Sequence, residues 1–393
     1  MAIRRLFRTG LLGVFTLLFV LGTAMPSEAT GNIVKSDLKG TWKISLHGLT
    51  DCGFVSMLAT MTFGTNGTGT GPIQIHGTCG DSTLAGQTFT VATLSKLGEG
   101  TATLTCGGAC LWHFNIQVAP DRTKFNLADV TATDIGAFLA GVAVVSSVAD
   151  NIVTADLKGD WHVSLMGHQL RPECVPQDVP VSAAATMTLN VAGAGSINAT
   201  LRTACGNGDV VNTFAISALN SDGSGTAHLD CGGGCGFDFS IQVSPDRSMF
   251  NLVTVSPTDT GDMLAGVATR RSTGGQITKA NLAGAWQGTA LGEDIVGGSN
   301  GVSASLLTFR LTPKALTTSA SLVVHGEEGD FTLTDLGFEV QTLNADGSGT
   351  ARLTDGIDVI NLRIQVSPDR STISAAIVDP AGEDVSAGFF VHQ

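Results

Sequence analysis

Apolar and polar residues alternate along most of this chain, and the alternation has the period of a β-strand. In the clearest run, four apolar residues alternate with three polar ones: Phe237, Phe239, Ile241 and Val243 against Asp238, Ser240 and Gln242. The segments 112–118 and 361–366 show the same alternation. A period of two with one polar face is typical of a half-buried antiparallel strand.

Eight such runs are predicted in each of the first two thirds of the chain. In the first third they lie near residues 42–48, 56–64, 68–77, 88–97, 100–106, 110–118, 124–130 and 137–146. In the second third they lie near residues 161–167, 182–191, 195–205, 210–220, 225–231, 235–244, 249–256 and 262–271. Short turns join the runs, and Asn66-Gly67, Asp222-Gly223 and Asp346-Gly347 are strong hairpin turns.

One segment occurs three times in the chain, which shows that the chain is built from three copies of one unit. Ile241–Arg247 and Ile364–Arg370 are identical, and Ile116–Arg122 differs from them only at Ala119. Such self-similarity at a regular spacing indicates an internal repeat. We therefore predict repeats at 30–149, 150–274 and 275–393, joined by linkers near 147–156 and 272–281.

Eight consecutive short strands form either a sandwich or a closed meander. Every link is short enough for a hairpin, which favours the meander, and closure also removes the edge strands of an open sheet. The predicted fold is all-β: three tandem eight-stranded antiparallel up-and-down barrels. A barrel of eight strands is just wide enough to be filled by its own side chains or to hold one small ligand.

The composition of the chain agrees with short strands and tight turns. Among 393 residues there are 50 glycines, and charged residues make up 14%, against about 25% in an average protein. The formal net charge is −13, which argues against binding to nucleic acid or to an anionic membrane through a basic face. We expect neither kind of partner.

Residues 1–29 have the pattern of an export signal. Arg4, Arg5 and Arg8 form a positive end, and an apolar run follows at 11–21. Either Ser27-Glu28-Ala29 or Gly22-Thr23-Ala24 offers a cleavage site. No later segment is long and apolar enough to span a bilayer. The sequence therefore predicts an exported protein, periplasmic, extracellular or on the cell surface, with no membrane span in the mature chain.

All eight cysteines fall in links at one end of the predicted barrels, in the first two copies. They are Cys52, Cys79, Cys106 and Cys110, then Cys174, Cys205, Cys231 and Cys235. An even number of cysteines in an exported chain favours disulfides over a metal site. Four cysteines per copy allow three pairings, of which we favour Cys106–Cys110 and Cys231–Cys235 across the hairpins, with Cys52–Cys79 and Cys174–Cys205.

The third copy has no cysteine and carries acidic residues in the same links. They are Glu293, Asp294, Glu327, Glu328, Asp330, Asp355 and Asp358. Hard cations such as calcium bind several carboxylate oxygens, so a cation site at this end of the third copy is one hypothesis. The alternative is a set of solvated acidic loops, because no loop has the spacing of a known calcium loop.

Each copy opens with Leu-x-Gly-x-Trp, and this motif carries a resemblance to a known family. The motifs are Leu38-Gly40-Trp42, Leu157-Gly159-Trp161 and Leu282-Gly284-Trp286. A Gly-x-Trp on the first strand of an eight-stranded meander resembles the calycin group, the lipocalins and avidins. Aromatic side chains mainly bury area, so we expect the three tryptophans to be core anchors rather than ligand stackers. The resemblance implies that a small or apolar ligand binds inside one or more of the barrels. In calycins an arginine near the last strand covers the tryptophan, a role that Arg271 would have in copy two.

No residue combination indicates catalysis. Residues 297–301 fit Gly-x-Ser-x-Gly, but a nucleophile elbow requires a strand-to-helix turn and this is a glycine-rich loop. His47 and His162 lie on the polar face of a predicted strand, so we expect surface histidines. Nothing pairs a nucleophile with a base, and we expect neither a catalytic site nor a cofactor.

Two functions from different classes remain open. The first is an exported, non-enzymatic binding protein that holds a small or apolar ligand in its barrels and admits it at the cysteine-bearing end. The second is a structural or adhesive surface protein with filled barrels as rigid spacers. An internal void of roughly 300 Å³ or more favours the first, whereas packed interiors favour the second.

Overall fold

The protein consists of three closed eight-stranded antiparallel barrels, one after another along the chain. The computed structural model describes residues 32–393 except for 52, 108–110, 131–136, 148–149, 171–177, 204–205, 233–234, 256–262, 275, 295–300, 328 and 378–383. The predicted export signal at 1–29 lies outside the described residues. The predicted fold is confirmed, and the strands of each barrel fall within one predicted repeat.

Every barrel is a simple meander in which consecutive strands pair and the last strand closes on the first. Barrel 1 contains β1 (Gly40–Thr50), β2 (Gly53–Phe63), β3 (Thr68–Gly77), β4 (Ser82–Leu94), β5 (Glu99–Thr105), β6 (Leu111–Val118), β7 (Lys124–Ala128) and β8 (Phe138–Val145). Barrel 2 contains β9 (Gly159–Leu170), β10 (Asp178–Leu189), β11 (Ala194–Thr203), β12 (Gly206–Leu219), β13 (Ser224–Gly232), β14 (Cys235–Val243), β15 (Met249–Thr254) and β16 (Met263–Arg270). Barrel 3 contains β17 (Gly284–Asp294), β18 (Val302–Leu311), β19 (Leu316–Gly326), β20 (Phe331–Leu343), β21 (Ser348–Thr354), β22 (Val359–Val366), β23 (Thr372–Ile377) and β24 (Asp384–His392).

A 3-10 turn lies directly before the first strand of each barrel and closes its floor. These turns are Lys35–Leu38, Thr154–Leu157 and Lys279–Leu282. The Trp42 Nε1 donates to the Leu38 carbonyl oxygen at 2.7 Å, and Trp161 and Trp286 make the same bond to Leu157 and Leu282. All three indoles are fully buried, so the predicted anchor role of the tryptophans agrees with their position.

Hairpin turns of the predicted type lie at the floor end. Gly223 has a φ of 84°, a left-handed conformation that glycine adopts without strain. A Cβ at Gly223 would lie 2.7 Å from the Val243 carbonyl oxygen, so a larger residue does not fit. Gly67 and Gly347 have the same conformation, which confirms the three hairpin turns predicted from Asn-Gly and Asp-Gly.

One residue at the floor differs from the expectation drawn from the calycin resemblance. Arg270, not Arg271, lies over Trp161, with its guanidinium carbon 5.5 Å from the ring centroid. The reason is strand alternation: Arg270 pairs with Trp161 in the register and faces inward, so Arg271 faces outward, where it forms an ion pair with Asp346 of barrel 3. In barrel 3 the same inward position carries His392, 4.7 Å from the Trp286 ring.

The three barrels pack side by side in a ring rather than standing apart. Ser56 of barrel 1 donates through its hydroxyl to the Thr254 carbonyl oxygen of barrel 2, and Ser182 of barrel 2 does so to Ile377 of barrel 3 at 3.2 Å. The matching position in barrel 3, Ala304, packs with Ala128 of barrel 1. Each barrel thus places its second strand against the seventh strand of the next, and the sequence of contacts closes on itself, as a head-to-tail interface does when its rotation closes.

The residue that follows the last strand of each barrel contacts the next barrel, in the same cyclic order. Ser146 donates through its Oγ to the Oε1 of Gln242 in barrel 2 at 2.9 Å, and Arg271 reaches Asp346 in barrel 3. Gln393, the last residue, donates through its Nε2 to the Oε1 of Glu99 in barrel 1 at 2.6 Å. Barrel 3 is therefore joined to barrel 1 by a polar contact, although the two barrels are not consecutive in the sequence.

Apolar side chains form one part of the centre of the ring. The outward faces of all three barrels contribute to one buried cluster: Ala119, Val142, Val144, Met249, Val267, Phe389 and Val391. The prediction that His47 and His162 lie on the surface is wrong, because they are only 3% and 5% exposed. The polar face of the first strand, which an isolated barrel would expose to water, is covered here by a neighbouring barrel.

Candidate ligand site in the third barrel

The interior of barrel 1 is filled from floor to mouth. Towards the floor, the ring of Trp42 lies 5.0 Å from Phe125, and Phe89 lies 6.2 Å from Phe114. Higher up, Leu46, Met57 and Leu139 have no exposed surface at all. A void of water size beside these side chains would leave them partly accessible, so the interior next to them is packed.

Barrel 3 has small residues at the same registers of its mouth. Leu46, Val55 and Met57 of barrel 1 correspond to Ala290, Ser303 and Ser305, since each pair occupies the same step from the anchoring tryptophan along the paired strands. By the same count on the last strand, Leu139 corresponds to Ser386. Ala290 and the three serines are partly exposed, whereas their counterparts are buried.

Several close approaches show that these small residues share the inner face. A Cβ built on Gly292 would lie 3.7 Å from the hydroxyl oxygens of both Ser303 and Ser386. A Cβ on Gly288, two inward positions closer to the floor, would meet the ring of Phe390 at 2.0 Å, and Phe390 belongs to the core of this barrel. The two glycines lie on one face of β17, so the small-residue wall continues upward from the core.

The opposite wall of the mouth is made of leucines. Leu322, Leu333, Leu353 and Leu362 pack against the core of barrel 3 and remain partly exposed. Leu353 provides an internal comparison, because it occupies the register of Leu104 in barrel 1. Leu104 has no exposed surface, so the same side chain at the same place is covered in one barrel and accessible in the other.

One of the causes lies on the next strand, two residues from the direct partner of this leucine. Phe114 in barrel 1 is replaced by the smaller Leu362 in barrel 3 at the same register. The mouth of barrel 3 therefore has an apolar wall of leucines and a wall of small residues with three hydroxyl groups. No charged side chain faces inward among the positions compared above. An apolar ligand would displace water from the leucine wall, which stabilises the complex by about 25 cal/mol for each Å² of apolar surface buried.

The serine wall has a defined hydrogen-bonding polarity. Ser386 donates through its hydroxyl to the Leu291 carbonyl oxygen at 2.7 Å, and Ser305 donates to the Ala290 carbonyl oxygen at 3.3 Å. Because each hydroxyl has one proton, these two oxygens are left as acceptors. A polar group of a ligand at this wall would be matched if it carried a donor.

Barrel 2 is intermediate between the other two. At the registers of Leu46, Met57 and Leu139 it has Leu165, Ala183 and Leu264, whose exposed fractions are 7%, 5% and 4%. Barrel 2 has lost one large side chain from the mouth and kept two leucines. The three copies thus differ in how much of the interior their own side chains occupy.

The acidic residues predicted as a cation site lie around the mouth of barrel 3, and the described ones have local partners. Glu327 accepts from the Val302 backbone N–H at 3.1 Å, Asp330 lies 2.5 Å from the Nδ1 of His325, and Asp355 accepts from the Asp358 backbone N–H at 2.7 Å. The side chains of Glu293, Asp294 and Glu328 lie outside the described residues. Among the described residues, the acids that come within metal-binding distance of one another are Asp121, Asp246 and Asp369 instead.

Those three aspartates surround a buried lysine on the ring axis. The Lys124 Nζ lies 2.9 Å from Asp121 of its own barrel and 3.1 Å from both Asp246 and Asp369. Each aspartate comes from the Pro-Asp-Arg turn of a different copy, which is the segment that revealed the repeat. Sequence analysis missed this cluster, because only the packing of the barrels brings the three turns together.

Charge balance favours an ammonium group at this position. Burial by itself would lower the pKa of Lys124, but the charges of Asp121, Asp369 and Asp246 outweigh it and raise the pKa above its ordinary value. Burial would raise the pKa of Asp369, yet Lys124 and the hydroxyls of Ser367 and Ser371 lower it to about 2. The lysine therefore stays charged and joins the three barrels electrostatically.

The described cysteines are consistent with the predicted oxidised state. Cys79, Cys106 and Cys231 are disulfide-bonded, and no described cysteine is free. Each of the four predicted pairs includes a side chain outside the described residues, so the pairing itself stays a prediction. Cys79 and Cys106 lie at the mouth end, in the β3–β4 and β5–β6 links, as the sequence predicts.

Comparisons with known proteins give no family. No family model and no curated protein matches the chain. Among solved structures, a kievitone hydratase from Nectria haematococca is 10% identical over 63% of this chain and 95% of its own, with a TM-score of 0.21. A DUF3598 protein from Nostoc punctiforme is 13% identical over 60% and 95%, with a TM-score of 0.20. Transferrin binding protein B from Haemophilus parasuis, as a double mutant, is 8% identical over 90% and 76%, with a TM-score of 0.25.

At these TM-scores the three structures support no argument about what this chain binds. The barrels fit a calycin-like architecture, and no family match confirms that assignment. Among the described residues, no helix has the length and apolarity needed to cross a membrane.

Proposed function

We propose that this chain is a non-enzymatic binding protein that holds a small, mainly apolar molecule in the mouth of barrel 3. The observation that carries the proposal is the difference in side-chain size and burial between matching positions of barrels 1 and 3. Leu46 in barrel 1 is completely buried among large side chains, whereas Ala290 and Ser305 in barrel 3 leave partly exposed space that faces leucines. Barrels 1 and 2 act in this proposal as a rigid frame.

The walls of the mouth define the class of ligand. Four leucines supply apolar contact, and the acceptor oxygens of Ser305 and Ser386 supply a place for a single donor. The ligand is therefore an apolar molecule with a hydroxyl or amide group at one end. It enters at the end where the acidic links of copy three lie, so we expect a neutral or cationic molecule to be preferred over an anion.

The test is a fluorescence titration with N-phenyl-1-naphthylamine, an apolar probe that brightens when it leaves water. We expect saturable binding to the wild-type chain with one site, and loss of that site in Ser305→Met, which restores the side chain that barrel 1 has at Met57. Ser303→Val provides a second variant of the same kind, because it gives barrel 3 the residue that barrel 1 has at Val55. Saturable binding that survives both substitutions would place the probe elsewhere and refute the proposal.

The matched control is Thr332→Leu. Thr332 lies on β20 at the same end of barrel 3, but it is exposed on the outer face. A large apolar side chain added there leaves the interior unchanged, so probe binding should equal that of the wild type.

The second candidate function is a rigid structural or adhesive protein. The packed interior of barrel 1 favours it, as does the closed ring of three barrels with a buried ion cluster on its axis. This function requires no ligand, so the absence of any saturable probe site in the wild-type chain would favour it. Both functions fit an exported protein with disulfides, which we propose from the leader-like segment at 1–29 and the even cysteine count.

A further inference from the structure

A cavity lies on the ring axis, outside all three barrels. Its volume is about 60 Å³, enough for a few water molecules by the usual criterion of roughly 10–15 Å³ each. Every barrel contributes residues of its first and last strands to the lining, and the polar ones are Ser45 and His47 of barrel 1, Ser164 of barrel 2 and Thr289 of barrel 3. The cavity is therefore a product of the ring and does not exist in a single barrel.

Polar atoms without partners line this cavity. The hydroxyl oxygens of Ser45 and Ser164 are buried and have no hydrogen-bond partner, and the same is true of the Nε2 of His47. The three residues are 3%, 1% and 3% exposed. Buried polar groups in native proteins are nearly always hydrogen-bonded, to ordered solvent if not to protein, so three such atoms around one space indicate an occupant.

The tautomer of His47 defines what the occupant must offer. The Nδ1 of His47 lies 3.0 Å from the Val55 carbonyl oxygen, and a carbonyl can only accept, so Nδ1 carries the proton. Burial, aided by the nearby His168, lowers the pKa of His47 to about 3, and the ring is neutral at pH 7. Its Nε2 therefore has only a lone pair and requires a donor.

Charge excludes an ionic occupant. No Asp, Glu, Lys or Arg is among the residues that line the cavity, and an isolated ion in such an apolar surrounding is strongly disfavoured. A fully apolar guest is also excluded, because it would leave the two serines and the histidine unpaired. Hydroxyl groups both donate and accept, and they match all three atoms.

We propose that the axial cavity is a binding site for a small neutral hydroxylic guest, either a water cluster or a short alcohol, which donates to His47 and exchanges hydrogen bonds with Ser45 and Ser164. The guest bridges the first two barrels at the middle of the ring. The polar atoms of this site belong to Ser45, His47 and Ser164, none of which lies in the mouth of barrel 3, so neither proposal requires the other.

The experiment is crystallography of the full chain under three conditions. Crystals grown without alcohol should show density within hydrogen-bonding distance of Ser45 and Ser164. Crystals soaked in 2-bromoethanol distinguish the two sources: an anomalous bromine peak in the cavity identifies an alcohol site, and unchanged solvent density identifies a water cluster. Both results support a hydroxylic guest.

The third condition is xenon pressure, and it can overturn the proposal. Dry apolar cavities take up xenon, so a xenon peak in the wild-type cavity with no prior density there would show that the cavity is empty and apolar. A bromide peak after a sodium bromide soak would instead show an anion site and contradict the neutral guest.

A variant provides a positive control within the same fold. Ser45→Ala with Ser164→Ala and His47→Leu removes the three unpaired groups, and leucine is the residue that barrel 3 has at this position, Leu291. We expect xenon to enter this variant and the polar density to disappear. If the variant does not fold, the wild-type comparison of polar density with xenon uptake still decides the question.

Discussion

Barrels 1 and 3 have the same strands, the same register and the same floor, yet they differ in what occupies the mouth. Both bury their tryptophan completely and bond it to the preceding leucine. Above the floor, large side chains of barrel 1 are replaced by alanine and serine in barrel 3. The floor, the turns and the strand pairing therefore set the frame of such a barrel, while its mouth can be filled or emptied independently.

The difference extends to the ring axis, where single positions also diverge. Lys124 of barrel 1 corresponds to Thr372 of barrel 3, and His47 corresponds to Leu291. At these two registers barrel 1 has a lysine and a histidine, whereas barrel 3 has a neutral threonine and leucine, although its Asp369 also contacts Lys124. Exchanging residues between these registers is the most direct way to test what each contributes.

The largest effect is expected when barrel 1 receives the mouth residue of barrel 3. Leu46→Ala removes a fully buried side chain from a packed interior, and such changes cost about 2–5 kcal/mol in the free energy of unfolding. Urea denaturation followed by tryptophan fluorescence measures the change. A loss below about 1 kcal/mol would show that barrel 1 is not packed as described and would remove the contrast with barrel 3.

The next largest effect is expected at the axial ion cluster. Lys124→Thr leaves three aspartates close together without a cation, and we expect a loss of about 2–4 kcal/mol, somewhat below that of fully buried pairs because the carboxylates are partly exposed. The control is Met249→Thr at the same register of barrel 2, which removes no charge.

Calcium should distinguish a charge effect from a packing effect in this variant. The carboxylate oxygens of Asp121, Asp246 and Asp369 lie within 4.8 Å of one another, and removing the ammonium frees them for a hard cation. We expect millimolar calcium to raise the melting temperature of Lys124→Thr and to leave that of the wild type unchanged. No response to calcium would indicate that the destabilisation comes from lost packing.

A smaller, pH-dependent effect is expected at His47. Its pKa is about 3 in the folded chain and about 6.5 in the unfolded chain. Below pH 6.5 only the unfolded state takes up the proton, so stability falls as pH falls towards 3. His47→Leu removes this term, and between pH 7 and pH 5 it should lose about 2 kcal/mol less stability than the wild type.

The control for the histidine is Met166→Leu, at the same register of barrel 2. It changes a neighbouring side chain of the axis without adding or removing a titratable group, so its stability should follow the pH dependence of the wild type. Thermal unfolding measured at pH 5 and pH 7 compares the three proteins. Identical slopes for wild type and His47→Leu would mean that His47 is accessible to protons in the folded state.

The smallest change in stability is expected when barrel 3 receives the residue of barrel 1. Ala290→Leu places a side chain beside Gly388, as Leu46 lies beside Gly141, and the open mouth accepts it with a change of less than about 1 kcal/mol. Its effect on ligand binding should be large, because the added side chain occupies the proposed site. Titration with N-phenyl-1-naphthylamine checks this, and undiminished binding would contradict it.

Much of the fold could be predicted from local patterns. The alternation of Phe237, Phe239 and Ile241 places them inside a strand of period two, and Asp222-Gly223 predicts the hairpin that the structure shows. The repeat of Ile-Gln-Val at 116–118 and 241–243 showed that one barrel is copied. These features depend on residues close in sequence, so sequence order alone is sufficient to recognise them.

Strand alternation alone does not reveal the candidate sites, because they are recognised only when the three barrels are compared position by position. Ala290 and Ser305 are recognised as a mouth only when their registers are matched to Leu46 and Met57, which requires the pairing of strands. One feature of the sequence does indicate that the barrels pack against one another. The last strand of barrel 1, Phe138–Val145, is apolar at nearly every position, and a run without polar alternation indicates a strand buried on both faces.

Three barrels, their strands and turns, and the tryptophan floors are predictable from the amino-acid order, because period-two alternation, turn chemistry and a copied motif act over short distances along the chain. The packing of the barrels, in contrast, brings Lys124 to aspartates from all three copies, buries His47 and His162, and creates a polar cavity on the axis. These features arise from faces of different barrels, more than a hundred residues apart, and no local pattern encodes which outer face meets which.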